Sequence, residues 1–369
     1  MNKLFSALFT IMIFGLLALS IWYVGIRLQT LFELHRRWPI QIAVAAAVIG
    51  AMAAIIAAVR SSSPLAGALN VIGGYVFTFY IFLLFALICL HAIQIIWPLP
   101  IAWSRMVALA LALVVTVAGA LWANSFAVNE SEIRLPGLNK EVSVMHISDV
   151  HLGYHHGRDY LEEIVKETNR RNPDLVIITG DLVDSNAALM PGVLDPLSDF
   201  TAPVYFVGGN HEKYVDTERV LELISQQGVH VLHNEVVETN GLQLVGLDYM
   251  NADDSSFEMH PSDDPRTIKS VLAGLSLKTD LPSVLMHHSP VGAQYVTEKG
   301  IDLMLSGHTH AGQVFPFTLF NEVAFPFNRG LYQQDITQVF VSQGAGSYML
   351  RVRLGTSNEI NLLRLVASS

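Results

Sequence analysis

The chain has 369 residues, 51% of them hydrophobic, and a formal net charge of −10. Residues 1–126 hold six Lys or Arg and one acid, Glu33, leaving 16 basic against 31 acidic residues downstream. So acidic a region is a poor partner for the phosphate backbone of nucleic acid. The single cysteine, Cys89, lies in an apolar run, which excludes a disulfide framework and a thiolate zinc site.

Four apolar segments fill the first third: about Leu4–Ile26, Ile40–Val59, Leu69–Ile96 and Met106–Ala123. A helix needs roughly 20 apolar residues to cross a bilayer. Four nearly uncharged runs in succession, with Trp22, Tyr23, Trp97, Trp103 and Trp122 near their ends, are expected to span a membrane rather than fill a soluble core. Lys3 and Ala18-Leu19-Ser20 have the look of a signal peptide's two ends. The apolar run continues to Ile26, however, so the first segment is read as an uncleaved span. Arg27, Arg36, Arg37 and Arg105 fall on one side of the four spans. Lys3, Arg60, Arg134 and the long downstream region fall on the other. The excess of positive charge marks the cytoplasm, so the expectation is a multi-pass protein of the cell membrane with its downstream domain outside the cytoplasm. No acid lies within a span, against a proton-coupled transporter. Gly50 and Gly73-Gly74 read as sites of close helix packing, and His35 and His91, near span ends, are assigned no chemistry.

Residues 127–141 are polar, with Pro136 and Gly137, and read as a linker between a transmembrane region, 1–126, and a domain over 142–369. In that domain apolar runs alternate with amphipathic ones. Strands are expected at Val142–Ile147, Leu175–Thr179, Val204–Val207, Gln243–Leu247, Val284–Met286, Leu303–Leu305 and Val339–Val341. Helices are expected at Tyr160–Asn169, Glu218–Gln226 and Arg266–Leu275. Such alternation predicts an α/β domain, its central sheets between helical layers.

Polar side chains able to bind a metal recur just past five of these strands. Asp149 and His151 follow the first; residues two apart on an extended chain point the same way, so both can reach one ion. Gly180-Asp181, then Gly209-Asn210-His211-Glu212, His287-His288 and Gly307-His308-Thr309-His310 follow the others. Open α/β sheets present ligand sites at the carboxyl ends of strands. Oxygen and imidazole donors without sulfur suit Mn, Fe or Zn. Seven ligands exceed one tetrahedral ion with an open position. They fit two ions sharing a carboxylate, roughly 3.5–4 Å apart.

Taken together and in order, these five motifs resemble the calcineurin-like metallophosphoesterase family over about residues 142–365. Ala311-Gly312-Gln313, the ending Arg351-Val352-Arg353-Leu354-Gly355 and Glu359-Ile360 are similar to its membrane-anchored branch, alongside transmembrane metallophosphoesterases. The resemblance implies a multi-layer α/β/β/α sandwich behind an all-α four-helix transmembrane region. It implies one metal held by Asp149, His151, Asp181 and His310, and a second held by Asp181 as bridge, Asn210, a histidine of the fourth motif and His308. That histidine is His288 by the His-x-Pro pattern, or His287 by the pattern of some relatives; His288 is preferred. His211 is expected as general acid or stabiliser of the transition state. The implied activity is hydrolysis of phosphoesters, phosphodiester or pyrophosphate bonds above all, by metal-activated hydroxide. Tethering suggests lipid-linked or envelope-precursor substrates. The alternatives are a broad phosphatase or phosphodiesterase acting on soluble compounds, or a transporter or scaffold carrying a non-catalytic metal-binding domain.

Other residues carry weaker expectations. His155, His156 and Arg158 form either a phosphate pocket or a solvated loop. His146 packs within its strand, and His230, His233 and His260 are read as structural or surface positions. Phe315, Phe317, Phe320, Phe325, Phe327 and Tyr332 are either a lid packed on the core or a rim that meets the bilayer or a lipid tail.

Overall fold

The protein is seen in a computed structural model that describes residues 2–31, 36, 38–97, 99–256, 258 and 260–368. Glu33, His35 and Arg37 lie outside the described residues. The chain divides into two compact units, one of N-terminal helices up to Leu121 and one formed mainly by Trp122–Tyr348 and Val352–Ser369.

The first unit contains α1 (Asn2–Leu31), α2 (Trp38–Ala58), α3 (Pro64–Ile96) and α4 (Ile101–Trp122). All four are long and apolar enough to cross a membrane. Small residues let the first three helices approach one another. A Cβ on Gly73 would lie 2.8 Å from the Ala51 carbonyl oxygen, and one on Gly25 would lie 2.9 Å from Gln41 Cγ. Gly50, expected to serve the same purpose, faces open space.

The second unit is a sandwich of two six-stranded sheets. One runs in the order β1 (Phe126–Leu135), β12 (Asn358–Ala367), β2 (Val142–Ile147), β3 (Leu175–Thr179), β4 (Val204–Val207) and β5 (His230–Val231). The other runs β10 (Gly330–Gln334), β11 (Thr337–Val341), β9 (Leu303–Ser306), β8 (Ser283–Met286), β7 (Leu242–Gly246) and β6 (Glu235–Thr239). Val144, Ile177 and Val207 of the first sheet meet Leu244, Met286 and Leu305 of the second in one core. The outer face of the first sheet is covered by α5 (Arg158–Arg171) and, after the short α6 (Glu212–Val215), by α7 (Thr217–Gln226), through Leu161, Ile164, Val220 and Ile224. The outer face of the second is covered by α8 (Ile268–Gly274) and α9 (Ala293–Lys299) through Ile268, Leu272, Ala293 and Val296. The layers are therefore α/β/β/α, as expected.

The linker expected over 127–141 is corrected. Most of it is β1, paired in parallel with β12 from Phe126↔Asn358 to Leu135↔Ala367. Asn129, Glu130, Glu132 and Arg134 give it a linker's composition, but an edge strand needs to bury only part of itself, and charge on it discourages pairing with other chains.

Strands β2, β3 and β4 run parallel, as do β7, β8 and β9. Five of their carboxyl ends release the five motifs. The loops after β2 and β3 are laced together, Asp149 N donating to Gly180 O at 3.0 Å and His151 N to Asp181 O at 3.0 Å.

Candidate metal centre

Two of the five loops depend on glycine for their closeness. A Cβ on Gly209 would lie 2.2 Å from Asp181 Oδ1, and one on Gly307 would lie 2.0 Å from Asp149 Oδ2. Either would occupy space the carboxylates now take. Asp149, His151, Asp181, His308 and His310 all have positive φ, between 48° and 71°. Few non-glycine residues adopt that conformation, which costs free energy and concentrates at functional sites. Here it turns the side chains inward.

The side chains converge in two sets, Asp149 with His151 and His310, and Asp181 with His288 and His308. In the first, His310 Nε2 is 3.0 Å from His151 Nε2 and 3.2 Å from Asp149 Oδ1. In the second, His308 Nδ1 is 3.1 Å from His288 Nε2, which is 3.1 Å from Asp181 Oδ2. The same Asp181 oxygen lies 3.9 Å from His151 Nε2. It thus stands between the sets.

Both carboxylates are tied to the backbone: His308 N donates to Asp149 Oδ2 at 3.0 Å and Oδ1 at 3.2 Å, and His211 N to Asp181 Oδ1 at 2.9 Å. Asn210 is buried, and its Oδ1 has no hydrogen-bond partner among the described residues. An orphaned buried acceptor is costly unless something satisfies it, and a cation would. Burial alone would raise the pKa of the Asp149 and Asp181 carboxyls, yet the surrounding histidines, His310 for Asp149 and His288 for Asp181, hold both below the usual range. Conversely, burial disfavours charge on His288, but Asp181 and Asp149 lift it to about 10. Positive charge is what this oxygen and nitrogen set calls for, and divalent cations fit it.

His288, not His287, faces the cluster. His288 Nδ1 donates to Thr179 O at 2.8 Å, freeing Nε2. His287 spends both nitrogens on backbone, Nδ1 donating to Ser289 O at 2.7 Å and Nε2 accepting from Met250 N at 3.4 Å. Burial pushes it down to about 4.

His211 Nδ1 meets Asp184 Oδ1 at 2.7 Å, and its Nε2 lies 3.8 Å from Asp181 Oδ2. Against burial, Asp181 and the Asp184 hydrogen bond hold His211 up at about 9. Asp184 also lies 3.5 Å from His151 Nδ1. Glu212 buckles the loops, its carboxylate accepting from Asp181 N, Val183 N and Gly209 N at 3.1, 3.1 and 2.7 Å.

Four further residues border the cluster. Asp184 sits three positions past Asp181, a spacing that could have flagged it. Tyr348 packs on His151, His211 and His310 with ring centroids 5.1–5.4 Å away. Arg353 touches His310. His260, read as a structural or surface position, is exposed and stands edge-on to His308 at 5.3 Å. His156 instead stacks on Tyr160, and Arg158 pairs with Glu162 at 2.7 Å. His146 bonds Thr179 Oγ1 at 2.8 Å, His230 stacks on Tyr205, and His233 pairs with Asp248.

The model of the calcineurin-like phosphoesterase family matches residues 142–312. An uncharacterized metallophosphoesterase of Aquifex aeolicus is 30% identical over 213 residues, covering 56% of this chain and 78% of that one. The chain belongs to the calcineurin-like metallophosphoesterase family. It is also similar to an uncharacterized metallophosphoesterase of Helicobacter pylori, 36% identical over 244 residues, 65% of this chain and 64% of that one. A transmembrane protein with metallophosphoesterase domain from Bos taurus is 35% identical over 251 residues, 64% of this chain and 55% of that one. The match thus spans less than two thirds of these last two relatives. Members use divalent metals, and the Asp and His clusters are of a kind to bind them.

Proposed function

We propose that the protein is a membrane-anchored phosphoesterase working with two divalent metals. The observation that carries this is Asp181 Oδ2 standing between two histidine–carboxylate sets, with the orphaned Asn210 oxygen on the loop whose His211 N–H donates to Asp181 Oδ1. Asp149, His151, Asp181 and His310 would hold one ion, and Asp181, Asn210, His288 and His308 the other, Mn, Fe or Zn. When bound, such ions polarise phosphoryl oxygens and make a nucleophilic water available near neutral pH.

The chain's own residues do the rest. Asn210 is a neutral ligand, which limits the negative charge facing an anionic substrate. His211, held at Nδ1 by Asp184, presents Nε2 with its proton to a phosphoryl or leaving oxygen as charge builds there. Tyr348 shields the ligand rings from water on one side, and burial pushes its phenol up to about 12, so it stays neutral.

The preferred substrates are phosphodiesters or pyrophosphates of lipid or envelope-precursor type. Only residues 123–125 separate the last apolar helix from β1, which ties the sandwich closely to any bilayer that helix crosses. Helix α10 (Phe317–Ala324) exposes Phe317, Leu319, Phe320 and Val323, while its Asn321 is clipped to Thr309 O between two ligand histidines. An apolar face beside a phosphoester site suits an acyl or isoprenoid tail. Arg27, Arg36 and Arg105 favour placing the sandwich outside the cytoplasm of the cell membrane.

The test is metal content and turnover of the full-length protein with Mn, on phosphomonoesters, phosphodiesters and nucleoside-diphosphate lipids. Wild type is expected to hydrolyse diester or diphosphate bonds, and His211→Ala to keep its metal while losing turnover. Full metal without turnover in both overturns the enzymatic reading.

A further inference from the structure

Arg353 is among the largest fully buried side chains in the protein, 1% exposed. Burying a guanidinium is costly unless its donors are satisfied. Among the described residues its hydrogen bonds reach no carboxylate and go instead to one ligand histidine, the strap beside it, Asn358 and Thr356. Nη1 donates to His310 O at 3.0 Å and Nη2 packs 3.0 Å from His310 Nδ1, so the guanidinium grips the backbone of the ligand residue and lies against its ring. Nη2 also donates to Gln343 O at 2.7 Å and Gly346 O at 2.5 Å. Nε donates to Asn358 Oδ1 at 2.8 Å, which orients the fork, and Nη1 approaches Thr356 Oγ1 at 3.4 Å.

The strap from Gln343 to Gly346 itself lies behind the other end of the same set. Ala345 N donates to Ser148 O and Gly346 N to Asp149 O, both at 2.8 Å. A Cβ on Gly344 would lie 2.7 Å from Asp149 Cβ. Arg353 therefore joins the backs of His310 and Asp149, two ligands of one proposed ion. The other set is oriented differently: His288 is fixed by donating to the Thr179 carbonyl, the arrangement common behind metal-binding histidines. At His310 the main chain is held instead, Nη1 donating to the His310 carbonyl while the two Nη2 protons go to Gln343 O and Gly346 O. His310 Nε2 faces Asp149 and His151.

We propose that Arg353 is the positioning residue for the first metal position, locking the His310 backbone and the Asp149 strap in one geometry. This rests on the ligand assignment proposed above. A positive charge alone would repel a cation at that place, so the benefit lies in the orientation given by the planar fork, which lysine cannot reproduce.

The experiment is a Mn titration of metal-stripped full-length wild type, Arg353→Lys and Arg353→Met, reading stoichiometry and the electron paramagnetic resonance signal. Wild type is expected to bind two ions with a spin-coupled signal. Arg353→Lys should keep one ion tightly, with the six-line signal of an isolated Mn, and bind the other 10- to 100-fold more weakly, the usual effect of removing a residue behind a metal ligand. The retained ion doubles as a control for folding. Wild-type affinity at both positions in Arg353→Lys overturns the proposal, and so does tighter binding in Arg353→Met, which would make charge the deciding factor. Parallel loss of both ions marks a merely structural arginine and also overturns it. A wild type that binds no metal removes the ligand assignment itself, a failure the wild-type arm shows on its own.

Discussion

The Nδ1 of His211 and the Oδ1 of Asp184 lie 2.7 Å apart, and the same oxygen lies 3.5 Å from Nδ1 of His151. One carboxylate thus braces both the proposed proton donor and a proposed metal ligand. Replacing Asp184 with Asn keeps the shape and removes the charge. A positioned proton donor contributes about 10²–10⁴-fold, so Asp184→Asn is expected to lower kcat by about 100-fold. Its metal content should fall far less, because His151 keeps its other neighbours. Steady-state kinetics beside metal analysis checks this; unchanged kcat would remove Asp184 from the mechanism.

His287 and His288 are adjacent and fully buried, yet their variants should fail in different ways. His288→Ala removes a nitrogen 3.1 Å from Asp181 Oδ2 and should lose metal at the second position. His287→Ala strips partners from Ser289 O and Met250 N, and an unsatisfied buried group costs about 1–3 kcal/mol. It should unfold at lower temperature while binding two ions. Thermal melts and metal analysis of both variants separate these outcomes, and metal loss in His287→Ala alone would reverse the assignment.

The five strand-end motifs are legible in the sequence because each pairs a buried apolar run with a glycine or polar turn, a pattern of local origin. Val204–Val207 followed by Gly208-Gly209-Asn210-His211 is an example: strand, turn and ligand lie within eight residues. Tyr348 and Arg353 are set by tertiary packing, which sequence spacing does not record. Arg353, between Val352 and Leu354, carries only the weak signal of a charge in an apolar stretch. Strand β1 escapes notice because charge on an edge strand looks like a linker. The aromatic stretch after His310 proves to divide. Phe325 packs near His308 and Phe327 against Tyr332, as a lid would, whereas Phe315, Phe317 and Phe320 are exposed, as a rim would be.

His146 gives a pH dependence with a definite sign. Burial pushes it down to about 3 despite the nearby Asp149 carboxylate, from an ordinary value near 6.5. Below pH 6.5 the unfolded chain takes up this proton while the folded chain does not. Stability contributed by the neutral ring is therefore present above pH 6.5 and is lost as pH falls toward 3. The expectation is that wild type loses melting temperature between pH 7 and pH 4.5 more steeply than His146→Asn, which cannot titrate. Melts of both across that range check it, and parallel curves would show that the ring is protonated in the fold.

Phe317 and Phe320 are 42% and 61% exposed on α10, a helix anchored through Asn321 beside the proposed ligands. Phenyl groups this exposed gain only part of their burial free energy from folding and keep the rest for what they meet. Burying one against an apolar tail or a bilayer is worth about 1.5–3 kcal/mol, or roughly 10- to 150-fold in apparent affinity. The double variant Phe317→Ser/Phe320→Ser, with little packing to lose, should fold as wild type does. Its kcat/KM on a lipid-linked phosphoester in mixed micelles should drop by at least about tenfold, while a soluble chromogenic phosphodiester is turned over at the wild-type rate. Equal loss on both substrates would make the two rings part of a lid over the metal centre, since a lid serves every substrate alike.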